Sequence, residues 1–176
     1  MRLALLPGSR VLVDLRATGL LRAALHDPTL AAPLEPATVE AGEGAFTAPL
    51  DLRARVDAIE VPAEMSAGDQ EKMRENLRGP EVLDAARFPA ITLRARYTGT
   101  LEGGRVEGEL LVRGAPRRFA VDVRVARDGA ELRATGVWEG RLTDLGVRPF
   151  RALLGALRLD DWARLRVEAR LGPAGA

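Results

Sequence analysis

The chain has no cysteine, one histidine (His26), one lysine (Lys72) and two serines, Ser9 and Ser66. Without cysteine there are no disulfides, no thiol nucleophile and no soft-metal site. A lone histidine cannot build a multi-histidine metal centre, and neither serine lies in a G-x-S-x-G elbow. No EF-hand-like carboxylate spacing occurs. Gly42-Glu43-Gly44 and Gly103-Gly104 lack the Lys-Ser or Lys-Thr that follows a phosphate loop, so they read as turns. The sequence thus offers no catalytic residue, no metal ligand and no cofactor motif. His26-Asp27 could in principle do acid–base work, but followed by Pro28 it reads first as a turn.

Long apolar runs are missing too. None approaches the ~18 residues of a membrane span. The run Leu3-Ala4-Leu5-Leu6 ends at Pro7-Gly8, short of the about 7–15 apolar residues of a signal peptide. A cytoplasmic protein without a transmembrane segment is expected. Charge of one sign is lacking as well, with 26 basic residues against 25 acidic. Such a chain has no excess positive potential for nucleic acid.

What is present is alternation. Ile91, Leu93, Ala95 and Tyr97 alternate with Thr92, Arg94, Arg96 and Thr98, and Val106, Gly108, Leu110 and Val112 with charged neighbours. Phe119, Val121, Val123 and Val125 follow, then Leu132, Ala134, Gly136 and Trp138, and finally Leu165, Val167, Ala169 and Leu171. Period two with one charged face is the mark of antiparallel strands. Val11, Val13 and Leu15 make a strand near the start. A longer one runs from about Gly44 to Val61, where Pro49 points to an edge, bulge or bend. The segment 20–40 holds one or two short strands. Ser66 caps a helix carrying Met73 and Leu77 and ending at Gly79-Pro80. A second short helix is expected over 81–87, and one or two helical turns over 149–157. Asp160-Asp161 reads as the turn leading into the last strand.

These signals predict one all-β domain over residues 1–176. The expected architecture is a single eight-stranded antiparallel β-barrel, with short helices between the fourth and fifth strands and before the last strand. Such a barrel is either filled by side chains or holds one small ligand. Small inward residues and only seven aromatics leave volume that an elongated apolar ligand would fill; a flattened, packed barrel without ligand fits the pattern equally well. The expected ligand-binding positions are Phe46, Leu50, Leu93, Tyr97, Gly108, Leu110, Phe119, Val121, Gly136, Trp138, Phe150 and Leu154. Leucine at Gly108 or Gly136 is expected to obstruct the channel while leaving the strands intact.

Four motifs resemble those of the YceI-like family. They are Leu83-Asp84 with Phe88-Pro89-Ala90-Ile91, Gly108 to Gly114 with Arg117, Thr143-Asp144-Leu145-Gly146-Val147, and Asp161 with Leu165. Thr143 stands where the family usually has serine and Leu145 where it has phenylalanine. His26-Asp27 resembles a pair found in some relatives. The resemblance implies a lipocalin-like barrel holding an isoprenoid or polyisoprenoid chain, quinone-like or polyprenyl, with no enzymatic activity. It implies a hydrophobic small molecule or lipid as partner and no other cofactor, for transport or sequestration; a homodimer is left open. Many relatives carry a secretion signal, and none is expected here.

Overall fold

A computed structural model describes residues 1–19, 27–149, 151–152 and 157–175. Its strands are β1 (Arg2–Leu5), β2 (Arg10–Thr18), β3 (Thr29–Pro33), β4 (Thr38–Glu40), β5 (Phe46–Arg55), β6 (Ala90–Thr100), β7 (Gly103–Val112), β8 (Ala115–Asp128), β9 (Glu131–Gly140), β10 (Arg151–Ala152) and β11 (Leu157–Pro173). Eight of them form one curled, antiparallel path in the order β3-β2-β11-β9-β8-β7-β6-β5, with β1, β4 and β10 attached at its margins. The two ends of the path approach each other. Ala31 and Glu60 exchange backbone hydrogen bonds of 3.0 and 2.8 Å, and Glu35 N–H donates to the Arg53 carbonyl at 2.8 Å.

Alternation sets the faces as expected. Inward residues align across neighbouring strands: Ala48, Tyr97, Val106 and Val121 share one level, and Leu50, Ala95, Gly108 and Phe119 the next. Pro49 lies on β5, which has a hydrogen-bonded partner on one side only; an edge is where a residue without an N–H costs no ladder bond. The β7–β8 turn is Arg113-Gly114, both at positive φ (52° and 70°), the conformation that matches the twist of a two-residue hairpin.

Helix α1 spans Ala67–Arg78, with the Asp69 N–H donating to Ser66 Oγ at 3.2 Å and Met73 and Leu77 buried. Four local expectations need correction. The strand at Phe46 stops at Arg55, where a 3-10 turn over Val56–Ala58 begins. No second helix forms over 81–87. Asp84 adopts φ 50°, and its carbonyl accepts from the Arg87 and Phe88 N–H groups in successive turns. Arg151 and Ala152 are extended rather than helical and pair with Arg158 and Leu157; a 3-10 turn over Leu142–Leu145 stands before them. Asp160-Asp161 lies inside β11, in a bulge between Leu159 and Ala163, and not in a turn ahead of it.

The glycines also read differently. A Cβ on Gly108 would lie 2.2 Å from the Arg94 carbonyl oxygen and 2.5 Å from Ala95 Cα. That is neighbouring backbone, not a channel. Gly108 lets β6 and β7 curl tightly, as glycine does at a barrel corner, and leucine there would break the wall. A Cβ on Gly136 would meet the Asp122 carbonyl oxygen at 2.9 Å and Val121 Cγ2 at 3.1 Å. Crowding against packed neighbours, not spare volume, is what glycine relieves at both positions. Gly108→Ala should therefore cost roughly 2–3 kcal/mol, read as a lowered denaturation midpoint. A loss under a few tenths of that would show that the strands relax easily.

One ion pair ties three strands on the outer face. Arg166 Nε and Nη2 donate to Asp14 at 2.7 and 2.8 Å, and Thr29 Oγ1 donates to the same carboxylate at 2.8 Å. The hydrogen bonds from Arg166 come first among the causes that hold the Asp14 carboxyl below its ordinary value. A depressed folded value contributes stability above the unfolded value of ~3.9 and loses it as pH falls through the folded one. Asp14→Asn should cost roughly 1 kcal/mol near neutrality, allowing for the partly exposed guanidinium. Thermal melts should show the gap between wild type and variant closing as pH falls below the unfolded value of ~3.9 and through the lower folded one. An undiminished gap in acid would contradict the linkage.

Candidate functional site

The concave side of the sheet has little to pack against except itself. A sheet buries its apolar face on another layer, and here one twelve-residue helix and two 3-10 turns cover one end. Two large clusters of buried residues result, beside a small one of Leu3, Ala41 and Leu132. One gathers Met73, Leu77, Val82 and Leu83 with Leu15, Leu30 and Leu142; the other gathers Tyr97, Val106, Phe119, Val121 and Leu165.

Between them lies a cavity of about 220 Å³, and among the described residues its wall is apolar except for Arg53. The packed, solid interior is not what the structure shows. Cavity volume costs roughly 24 cal/mol per Å³ in mutational series, so a hollow of 220 Å³ left empty would forgo roughly 5 kcal/mol. Hydrocarbon inside it would recover that loss. Chemically the wall can bury apolar surface and do little else. Among the described residues no three His, Asp or Glu side chains gather as metal ligands, and no helix is long and apolar enough to cross a membrane.

Of the expected ligand-binding positions, Leu50, Leu93, Leu110, Phe119 and Val121 stand in the cavity wall. Phe46, Tyr97, Gly108, Gly136 and Trp138 do not. Phe46 and Tyr97 pair with ring centroids 5.4 Å apart, and Trp138 packs on Phe119 at 6.0 Å. The buried Tyr97 hydroxyl donates to the Thr100 carbonyl, and burial pushes its ionisation above the ordinary value. Phe150 and Leu154 lie outside the described residues, as does His26. Asp27, next to it, accepts the Ala17 N–H at 3.0 Å, which ties it to β2.

The wall also contains residues that strand alternation does not mark. Leu77 comes from α1, Val82 and Leu83 from the turns after it, Leu30, Ala32 and Leu34 from β3 and its end, and Leu142 and Leu145 from the 3-10 turn. Leu77 was legible as a buried helix position, and Leu83 and Leu145 sit in two of the motifs.

Those motifs turn out to hold the covered end together. Thr143 donates to Asp161 through N–H (2.9 Å) and Oγ1 (2.6 Å), fastening the 3-10 turn to the bulge of β11. Threonine keeps the hydroxyl a serine would supply. These two hydrogen bonds hold the Asp161 carboxyl below its usual range. Gly146 at φ 78° lies against the Arg117 guanidinium, and Phe88 lies against Gly114.

The domain model of the YceI-like family matches residues 30–166. The chain belongs to the YceI-like family. Among solved structures it is similar to BcnA of Burkholderia cenocepacia, at 14% identity, TM-score 0.63, with 94% of this chain and 96% of that one covered. It is also similar to a YceI protein of Campylobacter jejuni, at 10% identity and TM-score 0.52 over 90% of this chain and 79% of that one. At such identities the likeness concerns the fold. No curated protein matches the chain at the level of sequence. The YceI-like family is, at the level of the family, a lipid-binding barrel fold not known for enzymatic activity.

Removing the hydroxyl that fastens the 3-10 turn should loosen only that turn. Thr143→Val should speed amide exchange over 142–147 several-fold while core amides of β8 and β9 stay unchanged. Equal acceleration everywhere would mean that the contact supports the whole sheet.

Proposed function

We propose that this YceI-like chain is a non-enzymatic lipid-binding protein. Its sheet acts as a barrel, and its hollow takes the hydrocarbon part of an isoprenoid or polyisoprenoid chain. The observation that carries this reading is the wall of the cavity, which among the described residues is apolar apart from Arg53.

Burial alone can supply the affinity. About 400 Å² of hydrocarbon at ~25 cal/mol per Å² yields a gross gain of roughly 10 kcal/mol. Ordering costs remove several of these, leaving binding in the micromolar range. Because burial does not distinguish one hydrocarbon from another, selectivity comes from length and girth.

Solvent extraction of freshly purified protein, followed by mass spectrometry, should release a long-chain apolar lipid near one per protein. The stripped protein should then take up a fluorescent apolar probe. Ala32 and Ala54 line the hollow and are buried. Ala32→Ile together with Ala54→Ile should cut uptake several-fold without lowering the melting temperature, since the added carbons fill space. A protein that emerges empty and ignores the probe would end the proposal.

A further inference from the structure

Three segments of the covered end face two ways. Residues 82–89 give Val82 and Leu83 to the cavity wall, residues 110–118 give Leu110 and Val112, and residues 142–148 give Leu142, Leu145 and Val147. The same segments carry five arginines, Arg87, Arg113, Arg117, Arg118 and Arg148, none of them in that wall. All are exposed except Arg113, which is half-buried. Against them stand two carboxylates, Asp84 and Asp144, already held by Arg87 at 3.5 Å and by Arg141 at 3.0 Å. Glu109, just outside these segments, is opposite Arg118 in register. Among the described residues Arg113, Arg117, Arg118 and Arg148 enter no ion pair.

Contacts join these arginines into one surface. The Arg87 guanidinium stands 5.1 Å from the centre of the Phe88 ring. That ring covers the β7–β8 turn, where a Cβ on Gly114 would meet Phe88 Cε1 at 2.8 Å; Arg113 is the other residue of the turn. A Cβ on Gly146 would meet Arg117 Nε at 3.1 Å, which brings the end of the 3-10 turn, with Arg148 two residues on, beside β8. Half-buried Phe88 and exposed Ala86, Pro89 and Pro116 lie among the charges. The sides of the barrel are different. There Arg94 is flanked by Asp51 and Glu109 on neighbouring strands, Arg96 faces Glu107, and Arg105 faces Asp122. Charge alternates on the sides and accumulates at this end.

A basic patch without its own counter-charges attracts an anionic surface. Apolar groups set among the arginines suit the headgroup region of a bilayer, and the patch backs onto the apolar cavity. We propose that this end of the barrel docks on an anionic phospholipid bilayer. Docking sets the turns that close the cavity against the membrane, so that an apolar chain passes between bilayer and hollow without crossing water. That passage rests on the reading of the cavity as a lipid site; the docking itself does not.

Vesicle flotation tests it. At low ionic strength the protein should float with phosphatidylcholine vesicles containing about one-third phosphatidylglycerol, stay behind with phosphatidylcholine alone, and detach as salt is raised. Each arginine near an anionic surface is worth about five-fold in binding, so Arg113→Asn with Arg118→Gln and Arg148→Gln should weaken it on the order of 100-fold. Asparagine tolerates the left-handed backbone at position 113, and the melting temperature should stay near that of wild type. Arg94→Gln with Arg96→Gln and Arg124→Gln removes the same charge from exposed positions on the sides of the barrel and should leave flotation nearly intact. A wild type that ignores anionic vesicles, a patch variant that floats undiminished, or a side variant that falls as far as the patch variant would overturn the proposal. An RNA oligonucleotide that binds more tightly than the vesicles, and is lost with the same three patch substitutions, would overturn it in favour of nucleic acid. Uptake of an apolar probe without vesicles reads the cavity separately. A protein that floats but takes up no probe keeps the docking surface and loses the lipid site; one that takes up probe but does not float loses the docking alone.

Discussion

The rest of the structure depends on tight curling of the β6–β7 ribbon. A Cβ on Gly99, Gly104 or Gly108 would lie 2.2–2.4 Å from a backbone oxygen of the facing strand, closer than side-chain carbons approach. With hydrogen there instead, the ribbon bends sharply and turns its inward residues toward β2, β9 and β11. A flatter sheet would need a second layer over its apolar side, and one short helix cannot provide it. Curvature is what converts an amphipathic sheet into a wall around a space.

The covered end is then a matter of fastening. Leu83 and Leu145 close over the cavity while the residues beside them hold the turns: Asp84 through its left-handed backbone, and Thr143 through the Asp161 carboxylate. These are the positions that stand out as family motifs. Their polar members organise backbone at the surface and do not meet the space inside. The motifs therefore report on how the end is shut, and a chemistry assigned from their polar residues would be misplaced.

Much of this was legible in the order of residues. Period-two alternation identified the inward faces of β5 to β9 and β11, because exposure on one face and burial on the other enforce it. Ser66 and Gly79 marked the ends of α1. What escaped lacked a local signal. Strands of two to four residues such as β1, β4 and β10 are too short to display a period, and they exist only through partners distant in sequence. The bulge at Asp160-Asp161 and the left-handed Asp84 interrupt a pattern without announcing how. Glycine was ambiguous in principle: Gly108 could have meant room for a ligand or closeness of two backbones, and only the positions of Arg94 and Ala95 decide for closeness. The cavity wall was half legible for the same reason. Its strand residues follow from alternation, whereas Val82, Leu142 and Leu159 arrive through turns and a bulge.

The hollow is what unites fold, family and ligand. Xenon enters dry apolar cavities and is ignored by filled interiors, so it reads the space without presupposing any lipid. Methyl spectra of the stripped protein under xenon pressure should show shifts concentrated at Leu93, Leu110 and Val121, with the exposed Val137 unmoved. Spectra in which the inward methyls respond no more than Val137 would mean that side chains occupy the interior, and the account would fail.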